Sequence, residues 1–420
     1  WLKYSGFVSG GQRWFSATGG SGDTYFRFNE NGTLEISGDN SAATSLGYFI
    51  TNRKFRDHSA WYHIVIKSDT TQSTQTDRFK LYINGVDEAG VGGYSTGTYP
   101  NQNADDNISL SSNTHYIGGA VSSQYFNGVM SHIHYCDGYA YDASSFGSTD
   151  STTGEWKINT SPSVSYGTNG YWILKDGATL TDSSSNSNNF SLANGTLTNT
   201  KDCPDNVFAT LNPLIKASNQ PTFTNANTTV ISPSGTNARY GGTLGMTSGK
   251  YYYEVKLLGS ISNGGFGAGI LNIDSFNFNT TSGISTSSNY IGVVVNSLGG
   301  TNNFYIQHGG ATNDFSQTLS VGMIIGHAID MDNGYYYVHN NGVYINSGDP
   351  TSGATGTGNI NRTGNLNYDF SNLTMVVGGT SQNVDYGSFN FGNGTFGTTA
   401  IASAGTNASN NGVFEYDVPT

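Results

Sequence analysis

His132, His134 and Cys136 alternate along the chain, so in an extended strand they share one face. Two histidines at that spacing can hold zinc, and Cys136 is the one candidate for a third ligand. The competing reading is a strand with two exposed or hydrogen-bonded histidines. Tyr94, Tyr99 and Asn101 combine rings that stack on sugars with an amide that meets hydroxyls, although the same residues serve equally well to tie a loop down. Glycoside cleavage needs two carboxylates flanking the scissile bond, which a Glu-x-Asp-x-Glu strand would supply. No such run exists, and the nearest cluster is Glu415-Tyr416-Asp417. There is no serine nucleophile elbow, and the Gly-rich tracts lack the Lys and helix of a phosphate loop.

The composition says which elements must position these groups. The chain has 420 residues, with 57 Gly, 27 Tyr and 22 Phe but only 8 Pro. Aromatics fill a core and Gly and Asn make turns, so this is the composition of an all-β protein of two or three domains. Only 11% of residues are charged and the net charge is −12, which argues against nucleic acid, since that contact needs clustered Lys and Arg. No apolar run reaches the roughly eighteen residues of a membrane span. Cys136 and Cys203 are too few for a disulfide framework; two mostly buried free thiols are expected ahead of a bridge.

Strand signals recur along the chain. In Arg78–Val86, Phe79, Leu81 and Ile83 alternate with Arg78, Lys80 and Tyr82; in Lys250–Leu257, Tyr251, Tyr253, Val255 and Leu257 share a face. Ile324–Pro350 reads as a three-stranded meander with one buried face. Its Asn333-Gly334 and Asn341-Gly342 are expected to form tight turns with positive φ at both positions, and Asn31-Gly32 marks an earlier hairpin. No helix longer than a turn or two is evident.

Trp61-Tyr62-His63-Ile64-Val65 followed by Leu81-Tyr82-Ile83-Asn84-Gly85-Val86 resembles the laminin-G-like and pentraxin-like sandwich, the concanavalin A-like jelly roll. His115–Gly119, Tyr125–Ile133, Asp137-Gly138 and Phe146-Gly147 continue the resemblance in order over about residues 1–150. That resemblance implies calcium bound by rim-loop carboxylates, for which Asp105 and Asp106 are the candidates, unless they are plain solvated loop acids. Asp330-x-Asp332-x-Gly334, the aromatic strand after it, Asn341-Gly342-Val343 and a closing Asn390-Phe391-Gly392 resemble SPRY domains, which are β-sandwich binding modules. The run Gly348–Gly358 is similar to a variant found in structural proteins of tailed phages, especially marine ones.

The expected architecture is two antiparallel β-sandwiches, a jelly roll over 1–150 and a SPRY-like one over 216–420, joined by a packed connector over 151–215. The resemblance implies a non-catalytic virion protein, a tail fibre, spike or appendage facing outward and adhering to host glycan or protein. It requires no cofactor beyond that calcium, and its partners are other virion proteins, with a homo-oligomer left open. A secreted bacterial adhesin or lectin of the same architecture is the alternative. Trp1-Leu2-Lys3 resembles only the tail of a first strand, so the sequence is expected to extend at both ends, and an unpaired ladder is expected at that strand.

Overall fold

Alternating side chains in short runs separated by turn residues fold here into strands, all paired antiparallel. The computed structural model describes residues 1–6, 8–19, 22–38, 46–110, 112–120, 123–215, 217–259, 265–281, 283–298, 301–382, 386–407 and 410–420. The described helices are the four-residue Glu88–Val91 and short 3-10 turns. The chain forms two compact units, Trp1–Leu197 with Cys203–Asp205, and Thr198–Asp202 with Asn206–Thr420.

The first unit is built on a six-stranded sheet in the order Thr114–Ile117, Gln12–Gly19, Gly22–Phe28, Thr33–Gly38, Tyr48–Lys54, Tyr94–Thr98. A three-stranded sheet, Ile64–Ser68, Phe79–Ile83 and Val86–Asp87, shares its core. Phe15, Phe26, Leu34, Ile36 and Phe49 from the larger sheet cluster with Phe79, Leu81 and Ile83 from the smaller, the alternation expected for that strand. The strand Leu2–Tyr4 pairs with Gly128–Met130, and Leu2 also exchanges both backbone hydrogen bonds with Tyr62. The unpaired ladder expected at this strand is therefore not found.

The stretch expected to connect the domains is divided between them. Trp156–Ile158 pairs with Gly147–Thr149, and Tyr171–Ile173 with Ile133–Tyr135, so residues up to 197 belong to the first unit. Tyr171, Trp172 and Ile173 are buried, which is why this segment folds back as a strand. The polar tract behind it is a hydrogen-bonded knot. The Asp182 carboxylate accepts the backbone N–H groups of Trp172, Ser184 and Asn188 and the Ser184 hydroxyl, while Asn186 and Asn188 donate to the Gly170 carbonyl. Leu211, at the far end of the same stretch, lies in the core of the second unit. Lys216, taken as that domain's first residue, falls outside the described residues.

The second unit has a seven-stranded sheet in the order Thr222–Thr224, Thr229–Ile231, Tyr386–Asn390, Lys250–Leu257, Ile324–Asp330, Tyr335–Asn340, Val343–Tyr344. Its second sheet runs Asn237–Met246, Met375–Gln382, Gly265–Asn272, Tyr290–Leu298, Thr301–His308, Ala311–Asp314. Tyr253, Val255, Ile325, Ile329 and Phe389 of the first sheet meet Ile270, Val293, Phe304 and Met375 of the second in one apolar cluster.

Two expectations about the meander change. Ile324–Asp330 is buried along its whole length, not on one face alone. Its far face lies against the buried His339 ring and the C-terminal segment, whose Phe414 and Tyr416 pack on Tyr252 and His339. The Asn-Gly pairs also divide. Asn341 and Gly342 have φ of 47° and 84°, and Asn84 and Gly85 have 49° and 80°, as a two-residue primed turn requires. At Asn31-Gly32 and Asn333-Gly334 only the glycine is left-handed, because each pair ends a four-residue loop. Asp330 holds the second loop by accepting from the backbone and side-chain N–H of Asn333, and Asp332 accepts from the N–H of Gly249. The acidic signature thus shapes a turn.

Candidate functional site

The loop residues singled out from sequence are used mainly for packing. The Tyr94 and Tyr99 rings both lie 5.0 Å from Phe49, against the first unit's core, and burial raises both phenol pKa values. Asn101 is exposed and not gathered with them. The loop that follows is pinned, since Asn103 N–H donates to the Thr70 carbonyl and the Thr70 hydroxyl to the Ala104 carbonyl. Asp106 accepts both the N–H and the hydroxyl of Ser109, closing a local turn, and Asp105 is exposed. Among the described residues no group of three His, Cys, Asp or Glu is placed to hold a metal ion.

His132 and His134 do lie near each other, with ring centroids 6.4 Å apart, but both face Trp172, at 5.9 and 5.0 Å. His132 bonds the Ser131 hydroxyl and His134 the Tyr166 hydroxyl. Burial holds both imidazoles below their usual pKa, His134 well below, and raises the Cys136 thiol to about 11. This is the chemistry of a packed wall of neutral rings. Neither cysteine is in a disulfide, both are half-buried, and the Cys203 thiol donates to Asp205.

A different set of residues converges on the outer face of the six-stranded sheet. Tyr116, Ser16, Tyr25, Ser37, Tyr48 and Thr98 are directly opposite one another on successive strands, one line across the whole sheet. With strands about 4.8 Å apart, the three tyrosines recur at about 10 Å. Beside this line run Arg13, Arg27, Glu35, Ile50 and Thr96. Arg13 reaches this face because of a bulge. In a regular strand it would share the core face of Phe15; the register shift between them, at Trp14, turns it outward.

The charges are held in a defined geometry. Glu35 is buried, accepts the Tyr25 hydroxyl at 2.8 Å, and takes Arg27 through Nε at 3.1 Å and Nη2 at 2.9 Å. Burial and then Glu35 raise the pKa of Tyr25 and of Tyr48. The Arg13 guanidinium lies 4.0 Å from the Tyr25 ring centroid and 3.6 Å from Asp23. Glu35 is engaged by Arg27 and Asp23 stands beside Arg13, and the line presents tyrosine rings of the kind that can stack on a ligand. Sequence alone hid this line, because it depends on the register of five strand pairs and on one bulge.

Residues 1–140 match a laminin-G family model described as the concanavalin A-like lectin/glucanases superfamily. Among solved structures, the chain is similar to the SPRY domain of human HERC1, at 14% identity over 42% of this chain and 90% of that one, with a TM-score of 0.26. It is also similar to the TRIM65 PSpry domain, at 12% identity over 43% of this chain and 88% of that one, with a TM-score of 0.30. No curated protein matches it. The first unit is thus similar, over residues 1–140, to the concanavalin A-like domains of the laminin-G kind, and the second unit is a sandwich of two antiparallel sheets.

Proposed function

We propose that this chain is an outward-facing structural protein of a tailed-phage particle, a fibre, spike or appendage component, that adheres to host glycan or protein without cleaving it. One observation carries the adhesive part: tyrosines on alternate strands of one sheet face, with serines between them. Tyr48 and Tyr116 suit stacking on an extended sugar chain that crosses the strands, while Arg13 already lies over the Tyr25 ring and Ser16 and Ser37 are buried spacers between the rings. The phage part rests on the Gly348–Gly358 run that follows the SPRY-like hairpin. On this reading the neighbours of the chain are other virion proteins.

Two measurements test the reading. The full chain is applied to a glycan array and assayed for release of reducing sugar, with Tyr48→Ala and Tyr116→Ala in parallel. Binding that weakens in both variants without sugar release supports adhesion, and sugar release overturns the non-catalytic part. Immunogold labelling of particles from the source sample tests the rest. Gold on tails or surface appendages supports it, and label confined to secreted bacterial material overturns it.

A further inference from the structure

Arg13 and Arg27 face each other across neighbouring strands and are used in opposite ways. Arg27 spends its fork on Glu35. Arg13 is 14% exposed, yet among the described residues its guanidinium makes no hydrogen bond, and Nε is buried without a partner. Asp23, half exposed, stands 3.6 Å from Nη1, beyond a hydrogen bond. A guanidinium carries five donors, and of these Nε is buried and unmet, which is unfavourable. The position is defined all the same, because the guanidinium carbon lies 4.0 Å from the Tyr25 ring centroid and the bulge at Trp14 sets its direction.

We propose that Arg13 is the anion-binding residue of this sheet face and that the ligand is an acidic glycan, whose carboxylate or sulfate takes the donors of Arg13 in place of the distant Asp23. This rests on the adhesive reading above and narrows it. The planar fork matches a two-oxygen acid better than a single hydroxyl. The four charges Arg13, Asp23, Arg27 and Glu35 cancel, and the chain as a whole is acidic at −12. Attraction is therefore short-range, and recognition depends on these hydrogen bonds more than on long-range steering.

The test uses the full chain with three probes, oligogalacturonate for the carboxylate, dextran sulfate for the sulfate and neutral dextran. The expected result is preference for one acidic probe over dextran by about tenfold, loss of that preference in Arg13→Gln, and tighter binding in Asp23→Asn, which removes the competing carboxylate. The acidic probe that binds identifies the source of the charge. No preference for either acid, or a preference that survives Arg13→Gln, overturns the proposal, while binding to a neutral glycan or a host protein would still leave adhesion standing. If Arg13→Gln does not fold, Asp23→Asn decides, and unchanged or weaker binding there overturns it.

Discussion

The two units reach a folded state by different means. The first holds all five tryptophans of the chain, and among the described residues eight ion pairs against one in the second. The second instead buries a continuous cluster of 31 apolar residues between two broad sheets, against 14 in the main cluster of the first. The first unit also buries more imidazole. Burial lowers the pKa of His58 to about 4 and of His63 to about 3, lowers His115 and His132, and holds His134 well below the usual value. In the second unit burial does this to His327 and to His339, the latter reaching about 4. A sandwich with a smaller core and more buried polar rings is the one whose stability depends on solution conditions.

Acid should separate the units most clearly. An imidazole with a depressed folded pKa stays neutral in the folded chain while the unfolded chain takes up a proton below about 6.5, so stability is lost as pH falls from there toward the folded values. Five such groups act on the first unit and two on the second. Burial also raises one carboxyl in each unit, Glu88 in the first and Glu254 in the second, and these have the opposite sign, since their contribution is present at low pH and lost as pH rises. Between pH 7 and pH 4 the first unit should lose several kcal/mol, since each unit of difference between folded and unfolded pKa is about 1.4 kcal/mol and His58 and His63 alone fall to about 4 and about 3. Tryptophan fluorescence reports on it alone, so its melting temperature should fall well below that of the second calorimetric transition. Transitions that move together through this range would show that the histidines do not set the difference.

The next largest effect should fall on the second unit only. Gly342 sits at φ 84°, and a Cβ there would lie 2.6 Å from the Tyr416 ring. Gly342→Val combines a β-branched residue in the left-handed region with that clash, and should cost about 2–4 kcal/mol. The second calorimetric transition should drop while the tryptophan transition stays where it is. A fall in both would mean that the units do not unfold independently.

Much of this contrast was legible in the residues, and the gaps have physical causes. Alternation located Phe79, Leu81 and Ile83, and Tyr251, Tyr253, Val255 and Leu257, because a core-facing strand face has to be apolar. The turn at Asn341-Gly342 was legible because few residues accept two positive φ angles. Asn333-Gly334 misled because loop length, not the dipeptide, selects the turn. Rings are ambiguous in sequence, since a tyrosine that stacks on a ligand and one that packs on Phe49 look alike. The line from Tyr116 to Thr98 was invisible, because register is a property of pairs of strands.

Glu254 tests how the second unit closes over its outer sheet face. Its carboxylate is fully buried and accepts the backbone N–H groups of Glu415 and Tyr416, the Asn390 amide and the Tyr252 hydroxyl. Tyr252 in turn bonds the buried His339, whose Nδ1 accepts from the Gly342 N–H. Glu254→Gln keeps the shape but turns an NH2 toward donors, and should cost about 1–3 kcal/mol. Hydrogen exchange at Glu415 and Tyr416 should quicken more than exchange along Tyr335–Asn340. Unchanged exchange at both amides would show that the C-terminal segment is held by Phe414 and Tyr416 packing instead.

The smallest effect should come from salt, and it tests the first unit's ion pairs directly. Lys67–Asp142, Lys80–Asp77, Lys80–Asp87 and Lys157–Asp150 all join side chains with substantial exposure. Exposed pairs contribute only about 0–1 kcal/mol each, partly because ordering two long side chains opposes the Coulomb gain. Raising sodium chloride to 1 M shortens the screening length to about 3 Å and should remove most of that. Arg27–Glu35 should survive, because Glu35 is 3% exposed and two N–H groups of Arg27 converge on one of its oxygens. The tryptophan transition should therefore fall by no more than a few degrees, as about 1 kcal/mol implies for a domain of this size, and the second transition, with Arg362–Asp369 as its one pair among the described residues, should fall less still. A large drop in the first would mean that its surface pairs act as a coupled network. A drop confined to the second would contradict the division of labour between charge and apolar burial.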